Sequence, residues 1–415
     1  MDKNRLQSFL SCRLGTPVAG YACAMPFSSA CSRRKALKTA ALATGGLMLR
    51  HLPSARAETT PSRFLPVEDL FRTAIAKGQT PGAVAAVGTE GQTVWKGVFG
   101  NRALVPHPEP MTWQTLFDMA SLTKVLITAP AIMQLYEQGQ LKLDDPVCRY
   151  LPAFAANGKQ AVTIRQLLTH YSGLPPDVDL STPWSGKETA VSLALNAPLQ
   201  HPPGEQFVYS DINFITLGLI VEKLSGLPLD EYATRAILSP LGLKRTFFRP
   251  DPVLGSAIAP TQFDETHTML RGVVHDPTTR RMGGVAGHAG LFSCADDMIT
   301  YTQALLAKRA GKPSPFPLRT ETLVLMSTPQ QPKGKQDLRG LGWDIATHYS
   351  TPRGTVFPPT SFGHTGFTGT SLWLVPETES FVLILTNRVH PDGKGNIIAL
   401  RRDVATAAAL ALQRT

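Results

Sequence analysis

Cysteine is scarce in this sequence, with five residues among 415. Cys12, Cys23 and Cys31 lie near the N-terminus, so only Cys148 and Cys294 remain in the body of the chain. Two cysteines exclude a disulfide framework. They predict two separate buried thiols, with a single bridge as the alternative. No Cys–His cluster has metal-site spacing, and we expect neither a metal nor an organic cofactor.

Long apolar runs and an evenly basic body are also missing. The formal net charge of +10 reflects 41 Lys and Arg against 31 Asp and Glu, but residues 1–57 hold nine of the basic residues and one of the acidic ones. The rest of the chain is close to neutral, which argues against nucleic acid as a partner. A hydrophobic content of 43% is typical of a globular fold rather than of a disordered or membrane-embedded chain.

The N-terminal segment has the order of an export signal. Paired arginines at 33–34 precede a short apolar run at 39–49, and the small residues Ala55 and Ala57 follow. This order resembles a twin-arginine signal, so we predict that residues 1–57 direct export to the periplasm or the extracellular space. A buried amphipathic helix is the alternative, but a run of about ten apolar residues is short for a core or membrane-spanning helix.

The body of the chain has strand patterns at both ends and helical patterns between them. Apolar alternation predicts strands at 82–87, 93–100, 290–293, 371–375 and 381–385. Helical periodicity predicts helices at 64–77, 121–138, 164–170, 187–196, 213–223 and 395–413. We therefore expect residues 58–415 to form one α/β domain of the α+β type. Its sheet lobe would comprise about 58–120 and 290–415, and an inserted helical lobe at about 121–289 would leave a cleft between the two.

Ser121 and Lys124 are the first candidate catalytic residues. At three positions apart on a predicted helix they share one face, where the lysine amine can accept the serine proton if its pKa is lowered. The free N–H groups of a helix N-terminus suit an oxyanion. The alternative is a capped helix with a surface lysine.

Two further motifs carry side chains suited to a cleft. Tyr209 and Asp211 follow a loop that contains Pro and Gly, and a tyrosine held as phenolate by nearby cations can act as a base. His364, Thr365 and Gly366 lie on a predicted strand edge, where small residues let a ligand approach the backbone. The alternatives are a tyrosine corner before a helix and a glycine-rich hairpin with a surface histidine.

Together these motifs resemble the serine β-lactamase and penicillin-binding-protein superfamily. That superfamily has Ser-x-x-Lys, Tyr-x-Asn and Lys-Thr-Gly in this chain order, and the stretches at 117–124, 167–174 and 282–293 are similar as well. The similarity extends from about residue 64 to the C-terminus. Within it, the sequence resembles the branch of class C β-lactamases, D,D-carboxypeptidases and related esterases. The resemblance is strongest to penicillin-binding-protein-4B-like D,D-carboxypeptidases, which share the Tyr-Ser-Asp, His-Thr-Gly and Gly-His-Ala-Gly forms.

The resemblance implies a fold and residue roles. The fold would be an antiparallel sheet flanked by helices, with an all-helical lobe beside it. Ser121 would be the nucleophile that forms an acyl-enzyme, and Lys124 and Tyr209 would share the proton transfer. The backbone N–H groups of Ser121 and Phe367 would form the oxyanion hole.

Two residues depart from the superfamily pattern. Asp211 stands where Asn is usual, and because an ionised carboxylate only accepts hydrogen bonds, we expect it to pair with Lys124 or His364. His364 stands where Lys is usual. Its imidazole is not reliably cationic at pH 7, so we expect weaker binding of a substrate carboxylate and a pH profile with one limb in the histidine range. The candidates for substrate binding or proton relay are Asp211, His364, Thr365, Gly366 and Phe367.

The main functional hypothesis is an exported serine hydrolase that acts through a Ser121 acyl-enzyme on a peptide or ester acyl group, in the manner of a D,D-carboxypeptidase. The second is a carboxylesterase or a weak β-lactamase. The third is a protein that binds wall peptides or β-lactams and acylates without turnover. We expect a monomer, at the cell wall or the membrane surface, whose partner is a small molecule or a cell-wall peptide.

Other polar residues rank lower as catalytic candidates. We expect His288 in a structural loop and Arg388 on the surface. His275 and Asp276 are neighbours in sequence, and such side chains usually point apart. The acidic pair at 144–145 precedes a proline and is typical of a turn rather than a metal site.

Export makes a prediction about the mature N-terminus. If residues 1–57 are a removable signal, the exported protein begins at Glu58, because the peptidase cleaves after the small residue Ala57. Intact-mass measurement of the exported protein tests this, with Ala57→Phe as a control that the peptidase pocket should reject. Exported protein that still carries residues 1–57 would contradict the prediction.

Overall fold

The computed structural model describes residues 62–413, so the predicted export signal at 1–57 lies outside the described residues. The strands of the described part are β1 Gly82–Thr89, β2 Gln92–Ala103, β3 Glu109–Pro110, β4 Phe117–Asp118, β5 Phe247–Phe248, β6 Leu291–Ser293, β7 Leu338–Arg339, β8 Asp344–Ala346, β9 Phe362–Thr365, β10 Ser371–Val375 and β11 Ser380–Thr386. Its α-helices are α1 Leu65–Ala76, α2 Ala129–Glu137, α3 Ile164–Thr169, α4 Lys187–Asn196, α5 Asp211–Ser225, α6 Leu229–Ala233, α7 Pro277–Arg281, α8 Ala295–Arg309, α9 Thr320–Met326 and α10 Ile398–Leu412.

Eight strands form one antiparallel sheet in the order β3-β2-β1-β11-β10-β9-β8-β7. At its centre β1 pairs with β11, with a register that runs from Ala83 opposite Thr386 to Gly88 opposite Phe381. Strands from the two ends of the described chain are therefore neighbours. The predicted α+β fold with an antiparallel sheet is confirmed.

The central strand β1 is buried on both faces, which explains its run of Ala and Val. Alternate side chains of a strand point to opposite faces. Ala85 belongs to the apolar cluster under α1 and α10, together with Phe71 and Val404. Val84 belongs to the larger cluster that contains Phe214 of α5. Helices from the two ends of the chain thus cover one face, and helices from its middle pack on the other.

A proline in the helix that carries Lys124 is accommodated by a neighbouring tyrosine. The segment Lys124–Thr128 forms a wider π-turn that continues into α2 through Pro130. A proline has no N–H for the carbonyl four residues before it, here that of Leu126. The hydroxyl of Tyr301 on α8 donates to this carbonyl at 3.1 Å and to that of Val125 at 3.3 Å. A proline inside a helix usually causes a kink or the loss of a hydrogen bond. Here the helix instead contains a π-turn, and a side chain supplies the donor.

The smaller sheet brings Ser121 close to the loop that carries His288. Its strand order is β4-β6-β5. β4 ends at Asp118, just before Ser121, and β6 begins at Leu291, just after His288. Because β4 and β6 pair directly, two segments that are far apart in sequence meet at one edge.

The helices α5 and α10 begin two or three residues away from the starts that the sequence pattern predicts. α5 begins at Asp211 rather than at 213, and the N–H of Asp211 donates to the carbonyl of Pro176 at 2.6 Å. α10 begins at Ile398 rather than at 395. The chain before it packs too closely for a helix, since a Cβ on Gly395 would lie 2.1 Å from the carbonyl oxygen of Arg388.

Two other expectations concern the cysteines and the lobes. Cys148 and Cys294 are both free, and Cys294 is buried as expected. Cys148 is only partly buried, because it lies in a short surface turn where its thiol donates to the carbonyl of Gln160. Residues 62–413 belong to one compact unit, and the boundaries of the lobes within it stay a prediction.

Within 62–413, no single helix is both long enough and apolar enough to cross a bilayer. The helix α5 and the segment Leu229–Leu238 reach this length and apolarity only when they are taken together, and the pair is bent by 76°. α5 is mostly buried in the protein, as is usual for a core helix.

The role of Tyr301 can be tested by deleting its hydroxyl. In Tyr301→Phe the buried carbonyls of Val125 and Leu126 lose this donor, and an unsatisfied buried acceptor costs about 1–3 kcal/mol. We expect the free energy of unfolding, measured with urea, to fall by that amount. Tyr349→Phe removes a hydroxyl from a half-exposed ring and is the matched control. Equal effects of the two substitutions would contradict this role.

Candidate active site

Ser121 follows a strained turn at the start of the helix that continues into α2. Ala120 has a φ of 47°, a left-handed conformation that is costly for a residue with a Cβ. One carboxylate oxygen of Asp118 accepts the N–H of Ala120 at 2.8 Å, and the other accepts the N–H of His275 at 2.7 Å. Burial raises the pKa of Asp118 to about 6. These contacts hold the turn in its strained conformation and orient Ser121.

Lys124 is fully buried one helical turn from Ser121. Its Nζ donates to Ser121 Oγ at 3.2 Å and to the carbonyl of His288 at 3.0 Å, and it lies 2.6 Å from Asp211 Oδ1. Burial lowers the pKa of Lys124, but its polar partners, first among them the Asp211 carboxylate, raise it by more. Lys124 is therefore a cation in the resting site, and not the free amine that the simplest mechanism requires.

Asp211, the first residue of α5, was expected to pair with Lys124 or His364. Its carboxylate pairs with Lys124, and no ion pair with His364 is formed in the described part of the chain. The side chain is 22% exposed, so the ion pair borders the site rather than lying deep in the core.

Tyr209 completes the group around Ser121. Its hydroxyl interacts with Ser121 and Lys124, and Lys124 Nζ lies 5.1 Å from the centroid of its ring. Burial raises the pKa of Tyr209, and the charge of Lys124 offsets only part of this rise. The side chain is therefore a neutral phenol at rest and not the phenolate that the sequence left open.

His170 supports Tyr209, although the sequence motifs did not indicate it as a site residue. Its ring stacks on that of Tyr209 with 4.5 Å between centroids, and its Nδ1 accepts the N–H of Ser210 at 3.0 Å. Burial lowers the pKa of His170 well below its usual value, so the ring is neutral. Its membership of the stretch 167–174 was the available signal, but a buried histidine with a backbone partner has no sequence signature of its own.

His364 lies on β9 beside Tyr209, with 5.9 Å between ring centroids. Its Nδ1 is 2.9 Å from the carbonyl of Thr365. Burial lowers the pKa of His364 well below its usual value, and the charges of Arg339 and Lys124 add to the effect. The expected pH limb from His364 is therefore wrong, because the ring stays uncharged throughout the histidine range.

Gly366 brings the strand edge into contact with the serine turn. A Cβ at this position would lie 2.6 Å from the carbonyl oxygen of Met119, so only glycine fits. Thr370 strengthens the contact, since its hydroxyl donates to the same carbonyl at 3.0 Å. Ser121 and Phe367, the two expected oxyanion donors, therefore lie on adjacent segments, and both line one cavity.

This cavity has a volume of about 530 Å³. Ser121, Tyr209, His364, Thr365, Gly366 and Phe367 line its inner end. Four cationic side chains also line it: Arg339, Arg388, Lys394 and Arg401. Asp344 is the acidic residue in the same lining. The cavity is therefore suited to an anionic group next to the nucleophile.

Arg388 does not lie on the surface as the sequence suggested. Its guanidinium carbon is 4.5 Å from the ring centroid of Phe367, and Nη1 donates to the carbonyl of Gly395 at 2.5 Å. Arg401 is more deeply buried and donates to the carbonyls of Gly366 and Thr370. The fold brings these arginines to the cavity from the C-terminal part of the chain, which no local motif indicates.

His288 and Asp276 form a second polar pair beside the site. His288 is buried, and its Nε2 lies 2.8 Å from Asp276 Oδ1. His275 points away from Asp276 and stacks on Phe367, with 5.4 Å between ring centroids. Besides its loop role, His288 thus contacts the site through its carbonyl bond to Lys124.

Asp211, Asp276 and His288 form the one group within the described residues whose atoms are close enough together to share a metal ion. Nε2 of His288 already pairs with Asp276, and the carboxylate of Asp211 forms an ion pair with Lys124. Two cationic partners therefore already balance these carboxylates, and we assign no metal to the group.

The comparison with known families agrees with this geometry. The sequence pattern of the Beta-lactamase family matches residues 67–407, which include all of these site residues. The chain belongs to the beta-lactamase family. Its predicted resemblance to the serine β-lactamase and penicillin-binding-protein superfamily is confirmed.

Relatives and solved structures place this beta-lactamase family member among hydrolases. A Salmonella schwarzengrund protein named putative D-alanyl-D-alanine carboxypeptidase is 33% identical over 325 residues, which cover 70% of this chain and 74% of that protein. A class C beta-lactamase from Rhodobacter sphaeroides has a TM-score of 0.65 at 20% identity, covering 84% of this chain and 99% of that one. EstCE1, a hydrolase with promiscuous acyltransferase activity, has a TM-score of 0.67 at 23% identity, covering 83% and 97%. The two solved structures share the fold.

The neutral state of His364 makes a prediction about pH. Since burial holds the pKa of its ring well below the usual histidine value, His364→Gln should change the rate of Ser121 labelling by a fluorophosphonate by the same factor at every pH from 5 to 8. The two pH profiles would then be parallel. A limb near pH 6.5 that is present in the wild type and lost in the variant would show that His364 titrates.

Proposed function

We propose that this protein is an exported serine hydrolase that forms an acyl-enzyme at Ser121 and releases the C-terminal residue of a wall-type peptide, as a D,D-carboxypeptidase does. The convergence of Lys124 and the Tyr209 hydroxyl on Ser121 carries the proposal. Export rests on the sequence of residues 1–57, and the peptide substrate is supported by the name of the 33% identical relative.

The residues of the site can perform each chemical step. Ser121 Oγ attacks the substrate carbonyl carbon while its proton passes to the group around Lys124 and Tyr209. The carbonyl oxygen becomes an oxyanion, which the N–H groups of Ser121 and Phe367 would bind. The same proton then goes to the leaving amine, whose bond to the carbonyl carbon breaks. Water attacks the acyl-enzyme by the same steps and releases the acid.

The charge of the cavity favours a substrate that carries a carboxylate. His364 supplies no positive charge, because burial lowers the pKa of its ring well below the usual value. Arg388 and Lys394 line the same cavity, and guanidinium groups bind carboxylates through paired hydrogen bonds. A peptide with a free C-terminus would thus find its counter-ion on the C-terminal side of the cavity.

An esterase is the second candidate. A neutral His364 beside the nucleophile removes a requirement for an anionic substrate, and the apolar side chains of Phe367 and Ile398 also line the cavity. Weak β-lactamase action belongs to the same candidate, because an acyl-enzyme formed from a β-lactam passes through the same steps. A protein that acylates without turnover would have no need of both Lys124 and Tyr209, which argues against the third hypothesis.

A substrate panel tests the reaction class. The mature protein is assayed with a D-Ala-D-Ala peptide, nitrocefin and a p-nitrophenyl ester, and Ser121→Ala is the control. We expect the highest kcat/KM on the peptide and no turnover by Ser121→Ala. Labelling of Ser121→Ala by a fluorescent penicillin or a fluorophosphonate would refute the acyl-enzyme, and preference for the ester would favour the esterase.

Arg388→Gln tests the carboxylate contact. A hydrogen bond to a charged group contributes about 1.5–3 kcal/mol, so KM for the peptide should rise about 10-fold or more. Hydrolysis of the neutral ester should be little affected. Arg402→Gln is the matched control, because Arg402 lies on α10 outside this cavity and pairs with Asp403. Equal losses on both substrates in Arg388→Gln would argue against carboxylate recognition.

A further inference from the structure

Lys124 Nζ has four polar neighbours but only three N–H bonds. An ammonium has three N–H groups, and here Ser121 Oγ, the carbonyl of His288 and Asp211 Oδ1 surround them. The hydroxyl of Tyr209 is a fourth neighbour. Lys124 therefore accepts the proton of Ser121 only if it gives up one of its own.

Three of these neighbours are unsuited to receive that proton. Ser121 is its source, and the amide carbonyl of His288 is a very weak base. Tyr209 is a neutral phenol, because burial raises its pKa and the charge of Asp211 adds to the effect. The carboxylate of Asp211, whose Oδ1 lies 2.6 Å from Lys124 Nζ, remains as the acceptor.

We propose that Asp211 accepts the proton of Ser121 through Lys124, and that His288, held by Asp276, positions this pair. The inference rests on the proposed acyl-enzyme at Ser121. It gives Asp211 a role that the asparagine usual at this position does not perform, since an amide is not a base at neutral pH.

The proton transfer balances. As Ser121 Oγ bonds to the carbonyl carbon, its proton moves to Lys124 Nζ, and a proton of Lys124 crosses 2.6 Å to Asp211 Oδ1. Lys124 remains an ammonium, Asp211 becomes a neutral acid, and the carbonyl electron pair becomes the oxyanion. When the bond to the leaving group breaks, Asp211 returns its proton to Lys124, and a Lys124 proton moves to the leaving nitrogen or oxygen.

His288 supplies a second cation near Asp211. Donor atoms of Asp211, Asp276 and His288 all lie within 4.8 Å of one another. Burial lowers the pKa of His288, but the charge and hydrogen bond of Asp276 and the charge of Asp211 raise it by more. Asp276 is also the N-cap of α7, where it accepts the N–H of Thr279 at 2.6 Å. The imidazolium is thus fixed on a rigid element.

Other titratable groups also face Lys124 and Asp211. Asp177 interacts with the charges of Asp211 and His288, and His170 and His364 interact with that of Lys124. Burial keeps both histidines neutral, so they do not change charge in the working range. The charged groups that surround Lys124 and Asp211 are therefore Asp177, Asp276 and His288.

The decisive measurement is the second-order rate constant for labelling Ser121 with a fluorophosphonate, between pH 6 and 9.5. In the wild type Asp211 Oδ1 lies 2.6 Å from Lys124 Nζ and can receive its proton, so the rate should be nearly flat. In Asp211→Asn the acceptor has to be the neutral amine of Lys124. We expect the rate at pH 7 to fall about 100-fold, within the range of general acid–base effects, and to rise about tenfold per pH unit.

Two further variants separate a catalytic role from a structural one. Asp211→Glu keeps the carboxylate and should restore a flat profile, whatever its absolute rate. Asp177→Asn removes a nearby acid that does not touch Lys124 and should also keep the flat profile. His288→Gln removes the cation that Asp276 holds beside Asp211, so the acid limb of the profile, measured for this variant and the wild type below pH 6, should move to higher pH. This shift can be measured even if Asp211→Asn fails to fold.

The outcomes distinguish this inference from the proposed function. Labelling of Ser121→Ala would refute the acyl-enzyme itself. Labelling that depends on Ser121 but is as fast in Asp211→Asn as in the wild type, or equally flat with pH, would overturn the role of Asp211 alone. An unchanged acid limb in His288→Gln would overturn the positioning role of His288.

Discussion

A lysine ammonium that is removed from water has to be surrounded by oxygen atoms, and this constraint governs the arrangement around Lys124. Burying an unpaired charge costs several kcal/mol, which the contacts to Ser121, Asp211 and the carbonyl of His288 offset. The same contacts bring together the helix after β4, the start of α5 and the loop before β6. One buried cation thus joins three segments of the chain and defines the chemistry of the site, because its protonation state decides where the serine proton can go.

The main sheet provides the second support of the site. Its centre is buried between α1 and α10 on one face and the middle helices on the other. β9 is held between β10 and β8 in this sheet. Gly366 lets the end of this strand approach the carbonyl of Met119, and Asp118 ties the serine turn to the loop at His275. The nucleophile and the expected oxyanion donors are therefore fixed by backbone contacts rather than by mobile side chains, which is the preorganisation that acyl transfer requires.

The positive charge of the cavity is distributed differently from the superfamily pattern. The strand edge carries a neutral histidine, His364, and the cations lie at Arg339 and on the C-terminal side at Arg388, Lys394 and Arg401. Burial and the charges nearby keep His364 unprotonated, so its contribution is shape and hydrogen bonding. The cationic side chains at Arg388 and Lys394 thus belong to other segments of the chain than Lys124 and Tyr209.

The sequence by itself determined the fold class, and through its resemblance it indicated the antiparallel sheet and the candidates Ser121, Lys124 and Tyr209, because motifs and short strand patterns are local properties. It left the partner of Asp211 open and did not indicate how far burial lowers the pKa of His364. It also missed His170 and did not place Arg388 in the cavity. Only the tertiary structure decided these points, for one physical reason. Contacts such as that between Lys124 and the carbonyl of His288 join residues 164 positions apart, and the protonation state of a buried group depends on all the charges and the solvent exclusion around it, which no stretch of sequence contains.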